Sequence, residues 1–301
     1  MNIMNRSRYQ SLIKRINLGE CILIDGATGT ECERRGVPQV INTWNSGAAL
    51  SHPDVVRTIH EEYIDCGAEI IITNTFSSSR HCLRSAGIEH QFEDLTTAAV
   101  QLARAARDNR GRPDVLIAGG ITHWIWTEEK PSLAELEQNS RDQAVLMARE
   151  GCDLIMLEML SHTDRLLACI DGAAASGLPV WAGVSVEPKN GVMCLLGGEP
   201  LVDALYAIKD RDIPIINIMH TEVGYIDECL DILESHWNGV IGVYAHVCQF
   251  SDDETKAIFD NTISPENYAI ASKRWLDRGV KVIGGCCGVR KEHICELQNL
   301  V

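Results

Sequence analysis

Eight short apolar runs alternate along this chain with segments of helical periodicity, and that alternation constrains the fold more than any other feature. The runs lie at 21–25, 70–74, 115–119, 154–158, 180–184, 214–217, 240–245 and 280–284. Each is rich in Ile, Val and Leu and too short for a helix, and most end in glycine or a polar residue. Continuous apolarity suits strands covered on both faces. The intervals carry helix punctuation. Ser51-His52-Pro53-Asp54 opens one helix, with Val55, Val56, Ile59 and Tyr63 at helical spacing and Gly67 as its stop. Ser132 opens a second that closes at Gly151, and Ser264-Pro265 a third that closes at Gly279. Unbroken strand–helix alternation argues for a parallel sheet. Eight such units predict an α/β fold, a closed (β/α)8 TIM barrel, as a single domain over residues 1–301. The long interval 26–69 includes an irregular loop over the barrel mouth before its helix, and the segments 121–130 and 187–198 read as further loops there.

The formal charge of −15, with no cluster of Lys and Arg, argues against nucleic acid and anionic membrane surfaces as partners. No apolar stretch approaches the roughly 18 residues of a membrane span, and the first residues carry no segment of signal-peptide character. The expected setting is a reducing cytoplasm. The twelve cysteines are scattered, many within apolar runs (Cys21, Cys66, Cys152, Cys169), and most read as small core hydrophobes in a chain that does not need cross-links. The sequence leaves a homo-oligomer open.

In a barrel of this kind the active site lies at the C-terminal ends of the strands. Those ends read Asp25-Gly26, Thr73-Asn74-Thr75, Gly119-Gly120, Glu158, Ser185-Val186-Glu187, Asn217, Ala245-His246 and Cys286-Cys287. Polar groups that converge are expensive unless they bind something. Asp25 or Glu158 alone fits a structural role as well as a functional one; jointly these groups favour a site. Gly284-Gly285-Cys286-Cys287-Gly288 stands out, because two adjacent thiols suit a soft metal such as zinc. The flanking glycines have no packing purpose visible in the sequence, and read as letting both sulfurs face one point. The bland alternative is a buried reduced pair or a vicinal disulfide.

The chain resembles the homocysteine S-methyltransferase family, which includes betaine–homocysteine methyltransferase and the homocysteine-binding module of methionine synthase. The matching residues are 25–31 (Asp-Gly-Ala-Thr-Gly-Thr-Glu), Trp44-Asn45-Ser46, Pro53 with His60, 67–76, Asp153 to Glu158, Gly284 to Gly288 and His293-Ile294. The resemblance implies a zinc barrel that binds a thiol acceptor, homocysteine, and methylates its sulfur from a methyl donor, usually an onium compound or a methylated folate. Zinc would remove the thiol proton and keep a nucleophilic thiolate available. By the same resemblance Asp25 and Glu158 are the catalytic carboxylates that orient the acceptor, Thr73, Asn74 and Asn217 shape its pocket, and Cys286 and Cys287 ligate zinc. Trp44, Phe76, Trp124, Trp126 and Tyr244 are candidates to receive an onium donor by cation–π contact, although core packing is the commoner role for any one of them.

The resemblance breaks at one place. The family uses a third cysteine directly after the asparagine that ends its sixth strand, and here Ile218 follows Asn217. Two thiolates alone make a weak zinc site, since catalytic sites supply three protein ligands. His220 is the candidate substitute: if strand geometry continues, it faces the same way as residue 218; an ordinary surface role for it stays open. His246 and Cys248 are alternatives, and loss of tightly bound metal is a further outcome. His246 is itself a departure, standing where the family often shows a proline–asparagine turn. The competing readings are a diverged member acting on another small substrate without tightly bound zinc, and a non-catalytic ligand-binding relative.

Overall fold

The computed structural model describes residues 3–40, 43–123, 130–248 and 263–301. All eight apolar runs contribute strands: β1 (Ile22–Leu23), β2 (Ile70–Ile72), β3 (Leu116–Ile121), β4 (Leu154–Leu160), β5 (Val180–Val184), β8 (Ile215–Glu222), β9 (Val240–His246) and β10 (Val282–Ile283). They pair in the order β1-β10-β9-β8-β5-β4-β3-β2, each neighbour parallel. The ring closes between β1 and β2 through the Ile24–Ile70 bridge, with the Glu69 amide donating to Leu23 O at 2.8 Å and the Asp25 amide to Ile70 O at 3.1 Å. The remaining strands, β6 (Val186–Lys189) and β7 (Val192–Leu195), form an antiparallel hairpin where the sequence suggested an irregular loop. Asn190 and Gly191 are both left-handed (φ 52° and 78°), as a two-residue primed turn requires.

Each barrel strand alternates between two apolar layers, so its sequence is apolar on both faces until the strand nears the barrel mouth. Ile22, Ile70, Leu116, Leu154, Trp181, Ile215, Met219 and Val282 fill the interior. Leu23, Ile71, Ile117, Ile155, Ile216, Ile218 and Val243 face the surrounding helices. The three punctuated helices appear as Pro53–Asp65, Leu133–Glu150 and Pro265–Asp277, the last two capped by the Ser132 and Ser264 side chains. Their closing glycines, Gly67, Gly151 and Gly279, all have positive φ. The helix Ile3–Asn17 plugs the barrel floor: Leu12 and Ile16 enter the interior cluster, Tyr9 accepts a hydrogen bond from Trp181 Nε1 at 3.0 Å, and Arg8 pairs with buried Asp153 at 2.9 Å.

One cysteine expectation is corrected. Cys66 and Cys295 form a disulfide between the end of the helix Pro53–Asp65 and the helix Lys291–Gln298. Most of the other cysteines are free and buried, as expected of small core hydrophobes. Among the described residues no helix is long and apolar enough to cross a membrane.

At the barrel mouth two strands break register. Pairing of β4 with β5 slips between Leu157 and Leu160, and pairing of β8 with β9 slips between Met219 and Glu222. Each bulge holds a non-glycine residue in the left-handed region, Met159 (φ 53°) and His220 (φ 47°). Bulges re-aim side chains beside functional sites, and such backbone costs about 1–3 kcal/mol where the surroundings enforce it.

Candidate active site

A cavity of about 590 Å³ opens at the C-terminal ends of the strands. The loop after β2 contributes Thr73 and Asn74, β4 Glu158 and Met159, β8 Met219 and His220, and the turn after β10 Cys286 and Cys287.

His220, Cys286 and Cys287 converge on one side of it. His220 Nδ1 lies 3.6 Å from each sulfur, and the sulfurs are 3.9 Å apart. With Zn–S bonds of about 2.3 Å and Zn–N bonds of about 2.0–2.1 Å, a tetrahedral centre has S···S edges near ~3.8 Å and N···S edges near ~3.6 Å. The triangle therefore fits one zinc without rearrangement. Among the described residues this is the group of three His, Cys or acidic side chains close enough to share an ion.

The route by which His220 arrives differs from the strand-periodicity expectation. Ile218 points outward and is fully buried in the helix-facing layer, and Met219 points inward. The bulge then turns His220 inward as well, so residues 218 and 220 do not share a face. His246 and Cys248 do not join the three. The His246 ring lies 5.0 Å from that of His220, centroid to centroid, and Cys248 is buried beside Gly288.

The glycines around the thiols do have a packing purpose, contrary to the sequence reading. The Gly285 amide donates to Asp25 O at 3.1 Å, and a Cβ at 285 would overlap the Val289 side chain. Gly288 is left-handed (φ 78°). We expect Gly285→Ala to destabilise the protein by about 1–3 kcal/mol, read as a lower denaturation midpoint, because the overlap falls in a closed core. The two thiols share their proton unequally. Cys286 is held well below the usual thiol range, chiefly by its hydrogen bond with Cys287 and also by His220, whereas Cys287 is held above it beside Cys248 and Cys286.

Opposite the thiols, Glu158 is 8% exposed and no Lys or Arg pairs with it among the described residues. Burial pushes its carboxyl well above the usual range, and the charges of Cys286 and Asp25 add to the effect. Gly120 leaves the space its Oε2 needs, since a Cβ there would sit 2.6 Å from that atom. Asp25 and Asn217 are placed behind the cavity wall, not in it. Asp25, 1% exposed, accepts the Ile72 amide at 2.7 Å, and burial raises its pKa too. Asn217 donates to Ala182 O at 3.3 Å inside the barrel. Thr73 Oγ1 shares a hydrogen bond with Thr75 Oγ1 at 2.7 Å, and Asn74 Nδ2 donates to Asn45 O at 3.0 Å. Asn45, not singled out as a site residue from sequence, lines the cavity with its Oδ1 buried and unpartnered. Met159 and Met219 were missed as well; the Met159 amide donates to Met219 Sδ at 2.9 Å, joining the two bulges.

Of the aromatic candidates, Trp44 and Phe76 meet edge to face at 6.2 Å and line the cavity with Tyr244, whose hydroxyl is buried without a partner. Trp124 and Trp126 lie outside the described residues.

A family model for homocysteine S-methyltransferase matches residues 22–301. The chain belongs to the homocysteine S-methyltransferase family. Similar members include the homocysteine S-methyltransferase YbgG of Bacillus subtilis, 26% identical over 92% of this chain and 93% of that protein. The S-methylmethionine–homocysteine S-methyltransferase BHMT2 of Pongo abelii is 25% identical over 95% and 79%. The metallated form of the homocysteine methyltransferase MmuM from Escherichia coli superposes with a TM-score of 0.79 at 20% identity, covering 96% of this chain and 99% of that one. At that identity the likeness establishes the barrel fold shared within the homocysteine S-methyltransferase family.

Proposed function

We propose that this chain is a zinc-dependent S-methyltransferase that moves a methyl group from a small onium donor to the thiol of homocysteine. The observation that carries this reading is the His220–Cys286–Cys287 triangle, whose three edges match one tetrahedral zinc and which opens onto the cavity. His220, Cys286 and Cys287 would hold the metal at the edge of the cavity. Bound zinc supplies the Lewis acidity that keeps an acceptor sulfur deprotonated at neutral pH.

The chain's own residues provide the rest. Among the described residues Glu158 has no cation beside it, so its ionised form is favoured only when a positive group arrives, and the acceptor's ammonium is such a group. The unpartnered Asn45 Oδ1 is a further acceptor for N–H groups. Among the described residues no Lys or Arg lines the cavity, which suits a cationic donor better than a polyanionic one. Trp44 and Phe76 can face an onium centre. In the transfer the acceptor sulfur forms a bond to the methyl carbon while the donor leaves with the electron pair of the broken bond, as a neutral thioether or amine. Opposite charges are lost together, so apolar walls that exclude water favour the transition state over the separated ions.

Protein purified without chelator is expected to carry close to one zinc per chain and to form methionine from homocysteine with S-methylmethionine or betaine. Substoichiometric zinc that added metal cannot restore would overturn the metal assignment. Thiol binding without turnover, whichever donor is supplied, would leave a binding protein in place of an enzyme.

A further inference from the structure

We propose that His246 is a positioning residue that fixes His220 as a metal ligand; the inference rests on the zinc reading above. His220 is an unusual ligand because its backbone is left-handed and sits on a β-bulge. A bulge alone leaves the imidazole free to rotate about its side-chain torsions, and ordering a loose ligand subtracts from metal affinity. Something must hold both the bulge and the ring.

The neighbouring strand supplies it. Register between β8 and β9 is lost after Met219 and resumes where Glu222 meets His246. His246 therefore stands at the point where the bulge is absorbed. Its ring packs against the His220 ring with centroids 5.0 Å apart and planes inclined by 52°. Its side chain is also hydrogen-bonded to the His220 backbone. One buried imidazole thus contacts the ring and the main chain of the same ligand. On the other side of the bulge, Thr221 Oγ1 accepts the Val186 amide at 2.9 Å and donates to Met219 O at 3.1 Å, which secures the backbone. His246 adds the contact to the ring. It is not in the ligand group itself, so its role is orientation.

The test uses the full-length chain loaded with cobalt(II) for spectroscopy and with zinc for chelator competition. The variants are His246→Ala, His246→Phe, His246→Gln and, as reference, His220→Ala. Losing an outer partner of a metal ligand typically weakens binding by about 10–100-fold, and that loss is expected for His246→Ala. Its cobalt absorption should shift toward that of His220→Ala while far-UV circular dichroism stays native. Phe keeps the ring and Gln keeps a hydrogen-bond donor, so each should restore part of the affinity. Native zinc affinity and cobalt spectrum in all three His246 variants, with both altered in His220→Ala, would overturn the proposal and leave the metal centre standing. An unchanged His220→Ala would remove His220 as the third ligand, and with it the zinc reading on which this inference rests. Should His246→Ala fail to fold, the Phe and Gln variants decide: native affinity in both overturns the proposal, and reduced affinity in either supports it.

Discussion

Replacing His220 by alanine is expected to weaken zinc binding by roughly a hundredfold or more and to abolish methyl transfer in a barrel that stays folded. The magnitude follows from dividing about 10–16 kcal/mol of apparent zinc binding over four ligands. Folding should survive because the side chain is only partly buried at the rim and the bulge is closed by the Thr221 hydrogen bonds. His220→Gly is a useful companion, since glycine adopts the left-handed backbone of this position without strain and should lose metal equally while gaining stability. Chelator competition and methionine formation measured together check both parts. Ile218→Cys added to His220→Ala is expected not to restore zinc, because that side chain faces the helices. Undiminished affinity in His220→Ala would transfer the third-ligand role to His246 or Cys248.

Glu158→Gln should separate function from stability in opposite directions. Burial raises the folded-state pKa of Glu158 above its ordinary value of 4.5. Below that pH the carboxyl is protonated in folded and unfolded chains alike and costs nothing. As pH rises from 4.5 toward the raised value, the unfolded chain releases its proton and the folded chain retains it, so stability falls. Glutamine removes this dependence. The ligand-free variant should therefore melt above the native protein at pH 7 and together with it near pH 4. Catalysis should move the other way. Losing the partner of a buried substrate ammonium costs about 2–5 kcal/mol, which would appear in kcat/KM for homocysteine. A variant less stable than native at pH 7 would mean that the carboxylate is already compensated by the protein, and the acceptor pocket would have to be placed elsewhere.

The barrel was legible because its strands are covered on both faces and read as continuous apolar runs, and because serine caps and closing glycines mark helices such as Leu133–Glu150 and Pro265–Asp277. The hairpin of β6 and β7 had a signal in Asn190-Gly191, masked by the polar residues around it. The Cys66–Cys295 pair had none, since cysteines 229 positions apart cannot be matched from spacing. At the site, residue type was more legible than direction. A strand-end position does not reveal whether a carboxylate faces the cavity, as Glu158 does, or caps a neighbouring strand, as Asp25 does for Ile72. His220 was reached through strand periodicity, but the structure brings it inward by a bulge. The bulges at Met159 and His220 contain no glycine and arise from cross-strand pairing, which local sequence does not encode.

The unequal strand lengths bear on how a metal would come and go. β1 and β10 have two residues each and β2 has three, whereas β4, β8 and β9 have seven or eight. The ladder is thinnest across β10-β1-β2, the arc whose top carries Cys286 and Cys287, and regions with few backbone hydrogen bonds open locally at the least cost. The Cys66–Cys295 bond straddles that arc from outside, tying the helix before β2 to the helix after β10. If the thiols hold a metal as proposed, its exchange would follow brief excursions of this arc while the β3–β5 and β8–β9 ladders stay closed, and the covalent tie on the outer face would slow that traffic.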